Sequence, residues 1–281
     1  MQETFFAAPS YNLEETLLSG QAFRWERRGS GWEGVVAGRW VRLEARERGV
    51  AAWAAGEFSD WRWLAEYLRV EEDIGAIVSS FPQDEPMRAA VKGCPGLRLL
   101  RQEPWECLAS FILSSTKQIV QIRQIVALVC QRFGDPVSGA PGWHGFPSAG
   151  QLAAAGEAAL RECKMGFRAP YLWKTAKMVA GGEIDLAAVG RMDLAGARRE
   201  LERLPGVGRK IADCALLFAF GFEQAFPMDV WILKALRRLY FPGRRPNARR
   251  LVRFAETHFG PRAGYAQQYL FHYMRTRWRE D

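Results

Sequence analysis

The sequence predicts an α+β fold: an N-terminal antiparallel β-sheet domain followed by a mainly α-helical region carrying a helix-hairpin-helix motif. Three observations predict it. Across residues 23–55 apolar and polar residues alternate and Gly29, Gly31 and Gly49 punctuate the run, the pattern of antiparallel strands with one face in water. From Pro104 onward the apolar period changes to that of a helix. Within that region, residues 204–214 read LPGVGRKIADC. Pro205, Gly206 and Gly208 make a tight turn there, and Ile211, Ala212, Ala215, Leu216 and Ala219 then recur at helical spacing.

The first domain is placed at residues 1–103. After a short lead, FRWER, WEGVVAG, RWVRLEARE and VAAWAA read as its strands, with Val41, Leu43 and Ala45 alternating against Arg42, Glu44 and Arg46. Helices are expected at 60–69 and 73–80, and a closing strand at 97–101. The helical region, 104–281, starts with Pro104 in a first helical turn and puts Cys107, Leu108, Phe111 and Ile112 on one face. Ile119, Ile122, Ile125, Val126 and Val129 continue the pattern, and Thr116 and Lys117 fall in the break, where a loop can reach a groove. Helices at 148–163, 170–180 and 195–204 lead into a hairpin at 204–208, and three more follow, giving two helical subdomains.

The chain has 281 residues, 48% of them hydrophobic, enough for a sizeable core and roughly two domains. Its longest apolar runs are far short of a membrane span and Glu3 interrupts any signal-peptide pattern, so an intracellular protein, cytoplasmic or at the nucleoid if bacterial, is expected. Five cysteines without a CxxC pair argue against a metal site or a disulfide framework. The net charge of +8 implies an acidic partner. Its placement says more: from Arg191 onward there are 18 Lys and Arg against 9 Asp and Glu, while the first 190 residues hold 21 against 22. All the positive excess therefore lies with the hairpin, and a turn that points backbone N–H groups outward at a helix start is an anion site. Together they favour nucleic acid over a merely solvated basic face.

Lys210 sits in the first turn after the hairpin, where the positive end of the helix dipole favours the neutral amine, and a neutral amine is a nucleophile. Its plainer readings are a phosphate contact or a surface partner of Asp213. Only 7 of the 39 basic residues are lysines, so a generic phosphate contact here would ordinarily be arginine, which cannot deprotonate. Asp229, in FPMDV, precedes Val230, Leu233, Leu236 and Leu239 and reads first as a helix N-cap. Capping also immobilises a carboxylate, which suits it to steadying a cationic transition state.

A hairpin of the form LPGVGxK with an aspartate 19 residues after the lysine resembles the helix-hairpin-helix DNA glycosylases, and within them the 8-oxoguanine DNA glycosylase family. SGQAFRW from Ser19, ECLASFILSS from Glu106, HGFPS from His144, GFRAPY from Gly166 and AQQYLF from Ala266 carry the likeness over nearly the whole chain. The resemblance implies a bifunctional DNA N-glycosylase and abasic-site lyase that flips 8-oxoguanine out of duplex DNA. Lys210 displaces the base through a Schiff base and nicks by β-elimination; Asp229 steadies the oxocarbenium charge. It implies that Phe271 and Cys214 sandwich the purine, that Gln267 bonds its Watson–Crick edge, and that a Gly20 carbonyl accepts the ring N–H that only the oxidised base carries. Gly206, Val207 and Gly208 would hold phosphate, and Phe167 and Arg168 would be the wedge and the reader of the opposite base. It implies a monomer needing no cofactor. No cysteine follows Cys214, so the iron–sulfur cluster of some superfamily members is not expected.

Two other readings compete. A non-catalytic hairpin that only holds DNA needs neither Lys210 nor Asp229, and a glycosylase for alkylated purines typically keeps the aspartate and lacks the lysine. The chain also departs from the family pattern: Thr116 stands for an asparagine and Gln121 for an arginine, both facing the orphaned cytosine, and Trp231 stands for a histidine. A wider tolerance of the opposite base follows.

Overall fold

The computed structural model describes residues 1–278. Strands β1 (Gln2–Ala7), β2 (Glu26–Arg28), β3 (Gly31–Val36), β4 (Arg39–Arg46) and β5 (Gly49–Ala54) form one antiparallel sheet in the order β1-β5-β4-β3-β2. The alternation in β4 works as read: Val41 and Leu43 are fully buried, while Arg42 on the other face pairs with Glu33 and Glu44 at 3.1 and 2.7 Å. The presumed lead is itself an edge strand, β1, registered on β5 from Gln2↔Ala54 to Ala7↔Gly49. Its half-buried and exposed residues alternate, a weak version of the strand signal. The FRWER strand is shorter than expected. Phe23 and Trp25 turn into the core, and the ladder begins only at Glu26.

Helix α1 (Leu13–Leu18) crosses before β2, and α2 (Arg62–Leu68), α3 (Ile74–Ser79) and α4 (Glu85–Gly93) follow β5. Asp84 caps α4 by accepting from the Met87 amide, with Pro86 in the first turn, a start signal present in the sequence for a helix that periodicity did not reveal. The strand expected at 97–101 does not form. The segment is largely buried, but its amides are bonded elsewhere. Arg98 N–H donates to Thr16 Oγ1, Leu99 N–H to the Tyr265 hydroxyl, Leu100 N–H to Gln21 Oε1 and Arg101 N–H to the Tyr67 carbonyl, so no ladder forms.

The helical region contains α5 (Pro104–Leu113), α6 (Ile119–Phe133), α7 (Ala149–Leu160), α8 (Ala169–Ala180), the single turn α9 (Leu186–Val189), α10 (Leu194–Glu202), α11 (Arg209–Ala215), α12 (Val230–Ala235), α13 (Ala248–His258) and α14 (Ala263–Thr276). Pro104 sits in the first turn of α5 as read, where its missing N–H costs nothing. One core gathers the sheet with Leu13, Leu17, Leu64 and Leu68. The other gathers the helices, and it includes Ile77 from α3, Phe81 from the link after it, and Met87 and Ala90 from α4, all of which precede residue 104. Helix α14 runs through this second core, with Tyr265, Tyr269 and Leu270 fully buried.

Candidate active site

The hairpin joins α10 to α11. Gly206 holds φ +79°, and a Cβ there would lie 2.8 Å from Tyr171 Cβ on α8, so the turn demands glycine for conformation and for space. Thr175 Oγ1 on α8 donates to the Pro205 carbonyl at 3.1 Å and fixes the turn, leaving Gly206 and Gly208 exposed at its tip. Asp213 is not a partner of Lys210: it is buried and bonded to Arg198 at 2.7 Å, with Arg209 at 3.7 Å.

Lys210 is therefore left to the cleft. Its Nζ donates to Ser114 Oγ at 3.2 Å and lies 5.2 Å from the centre of the Phe111 ring. Ser114, the C-cap of α5, lies inside the ECLASFILSS run, where no local pattern marks it as a lysine partner. Asp229 caps α12 as read, its Oδ1 accepting from the Ile232 amide at 2.9 Å. Burial pushes its carboxyl upward in pKa, against the cap amides of Ile232 and Trp231 and the positive charge of Lys210, which favour the ionised form. Burial likewise lifts the Cys214 thiol to about 12, with Lys210 opposing, so Cys214 meets a ligand as a neutral, polarizable wall.

Lys210, Asp229, Cys214, Gly20, Gln267 and Phe271 all line one cavity of about 1260 Å³, together with the Ser115–Thr116 loop and the hairpin glycines. They come from five places in the chain that the fold brings together. The cavity lies between the sheet-domain loop after α1 and the helices α5, α11, α12 and α14. Gln267 is 3% exposed and its Oε1 has no protein partner, an acceptor held ready for a ligand donor. Gly20, at φ +76°, lies where a Cβ would come within 3.4 Å of the Phe271 ring.

Of the residues expected at the opposite strand, Thr116 lines the cavity, and Arg168 is tied to it through the 115–116 loop. Phe167 is 55% exposed beside Tyr171, as a wedge must be. Arg168 is 2% exposed and turned inward: Nε donates to the Ser115 carbonyl at 2.7 Å, Nη1 to the Met165 carbonyl at 3.0 Å and Nη2 to Thr116 Oγ1 at 2.6 Å. It braces Thr116, which holds φ +57° despite its branched side chain. Gln121 is spent on capping α6, accepting from the Gln118 amide at 3.2 Å. Among the described residues one group, Glu15, Cys94 and His272, brings metal-type donors within 4.8 Å of one another. His272 Nε2 lies 2.6 Å from Glu15, which also pairs with Arg277, burial raises the Cys94 thiol to about 12, and His272 Nδ1 is buried without a hydrogen-bond partner.

Residues 109–260 match the family described as HhH-GPD superfamily base excision DNA repair protein, and residues 5–108 match the 8-oxoguanine DNA glycosylase N-terminal domain. A probable N-glycosylase/DNA lyase of Methanothermobacter thermautotrophicus is 33% identical over 70% of this chain and 69% of its own length. An N-glycosylase/DNA lyase of Arabidopsis thaliana is 29% identical over 92% of this chain and 76% of its own. The crystal structure of an 8-oxoguanine glycosylase/lyase of Clostridium acetobutylicum, with double-stranded DNA containing cytosine opposite the lesion, superposes with a TM-score of 0.89 at 30% identity, covering 94% of this chain and 92% of that one. The chain belongs to the HhH-GPD superfamily of base excision DNA repair proteins, with the N-terminal domain of the 8-oxoguanine DNA glycosylases.

Proposed function

We propose that the protein is a bifunctional DNA N-glycosylase and abasic-site lyase that excises 8-oxoguanine from duplex DNA. The carrying observation is that the nucleophile, the carboxylate and the groups fitted to a flipped purine share one cavity: Lys210 and Asp229 with Gly20, Cys214, Gln267 and Phe271. Extruding a base costs a few kcal/mol, which the exposed Phe167 helps to meet by filling the vacated stack. The purine lies between Phe271 and Cys214, its Watson–Crick edge toward Gln267 and its N7–H toward the Gly20 carbonyl.

Lys210 attacks the anomeric carbon as the glycosidic bond breaks, Asp229 steadies the cationic sugar, and the resulting Schiff base acidifies the neighbouring proton so that β-elimination opens the strand. The Ser114 hydroxyl aims the amine meanwhile. The hairpin amides of Gly206, Val207 and Gly208 hold backbone phosphate. Arg168 addresses the orphaned base after giving up its bonds to the 115–116 loop.

A lysine in this cavity argues against the alkylated-purine reading, and a nucleophile paired with a half-buried carboxylate argues against mere binding. The cavity is complete within one chain, which supports action as a monomer, and a DNA substrate supports an intracellular site of work. Borohydride trapping on a duplex carrying one 8-oxoguanine, with undamaged guanine as control, tests the assignment. A covalent adduct on the lesion duplex alone is expected, and none on either would overturn it.

A further inference from the structure

Two guanidiniums meet at the end of the cavity nearest Gly20, and neither has a part in the chemistry proposed above. Arg275, on α14, anchors Nη2 on the Leu18 carbonyl, and Arg123, on α6, donates to the Leu17 carbonyl at 3.4 Å. Both thus take the carbonyl end of α1, a favourable place for cations. That anchoring leaves nitrogens over. Arg275 Nη1 and Arg123 Nε are buried with no protein partner, and both side chains line the cavity. Arg275 Nη1 lies 3.0 Å from where a Gly20 Cβ would be, and its guanidinium carbon is 5.3 Å from the Phe271 ring centre.

We propose that Arg275 is a specificity-determining residue of the base pocket: its free nitrogen donates to the C8 oxygen of the oxidised purine and holds the negative charge with which that purine leaves. The inference rests on the excision reaction proposed above. In 8-oxoguanine the C8 oxygen stands next to N7, so a base that gives its N7–H to the Gly20 carbonyl turns that oxygen toward the guanidinium beside Gly20. Undamaged guanine has no oxygen at C8. When the C1′–N9 bond breaks, its electron pair goes to N9 and spreads through C8 onto this oxygen. A C1′–N bond to Lys210 forms, and the proton shed by the lysine nitrogen neutralises the departed purine. A fixed cation whose facing nitrogen is buried stabilises charge that develops beside it in the transition state more than it stabilises the ground state.

The surrounding charges agree. Burial, with Arg123 beside it, disfavours the charged form of Arg275, and Asp229 and Glu15 only partly offset this. An anion arriving at that end of the cavity relieves the excess.

Two rates separate this role from bracing α1: single-turnover release of 8-oxoguanine opposite cytosine, and nicking of a preformed abasic site, which has no purine to lose. Arg275→Gln, which keeps a donor for Leu18 and drops the charge, should lower release about ten- to a hundredfold more than nicking. Arg275→Lys keeps the charge but cannot serve Leu18 and the purine together, so its release-to-nicking ratio should fall between the two. Equal loss of both rates, or an unchanged ratio in whichever variant folds, would overturn the proposal. Failure of the wild-type protein to release 8-oxoguanine would instead strike the proposed function.

Discussion

Gly20→Ala tests the division of labour between fold and recognition most sharply. Gly20 holds φ +76°, and an alanine Cβ there would lie 2.8 Å from Ile119 Cδ1, 3.0 Å from Arg275 Nη1 and 3.4 Å from Phe271 Cε1. A left-handed alanine costs about 1–2 kcal/mol, and crowding a packed wall about 1–3 more, so the expected destabilisation is roughly 2–5 kcal/mol. Against a typical total of about 5–15 kcal/mol, even the unfavourable extremes leave about half of the molecules folded. Stability loss alone therefore removes at most about half of the activity. The same methyl group displaces the carbonyl and the purine it receives, and misplacement of a reacting group on that scale costs on the order of a hundredfold. Single-turnover release of 8-oxoguanine, urea unfolding, and nicking of a preformed abasic site should be measured on one preparation. Release is expected to fall about a hundredfold, with nicking reduced only in proportion to the unfolded fraction. If release falls no further than the unfolded fraction accounts for, Gly20 is an ordinary turn glycine and the N7–H assignment fails.

Lys210→Gln should abolish both base release and borohydride trapping while duplex affinity, measured by fluorescence anisotropy, stays nearly unchanged; nicking at the wild-type rate would remove the Schiff base from the mechanism. Asp229→Asn should keep the cap and lose orders of magnitude in release rate. Burial raises the folded pKa of Asp229 above its unfolded value, so its contribution to stability is present at low pH and is lost as pH rises through the folded pKa. The asparagine variant should consequently be no less stable than wild type at neutral pH, and a large drop in melting temperature would make Asp229 a cap and nothing more. For the same reason the acid limb of the release rate should lie above the ordinary aspartate range, as a pH–rate profile would show. With Thr116 offering only a short hydroxyl and Gln121 committed to its helix cap, Arg168 is left as the charged reader, so cytosine should be preferred opposite the lesion by a narrow margin, and rates on four duplexes differing only in that base decide it; strict dependence on cytosine would mean Arg168 alone suffices.

The sequence by itself determined what rests on near neighbours. The alternation of Val41 and Leu43, the helical period after Pro104, the hairpin through Gly206 and the cap at Asp229 depend on residues a few positions apart, and the structure contains each of them. Helix α4 was equally local, marked by Asp84 and Pro86, and was missed because its apolar pattern is sparse. The stretch at 97–101 shows the limit. Its apolar residues resemble a strand's, but Thr16, Gln21, Tyr67 and Tyr265, distant in sequence, take the hydrogen bonds a ladder would need. Only the tertiary structure decided that Arg168 turns inward to brace Thr116, that Ser114 receives Lys210, and that Arg123 and Arg275 converge beside Gly20. A side chain's partners at such separations are set by how helices pack against the sheet domain, and the local periods of the sequence carry no record of that packing.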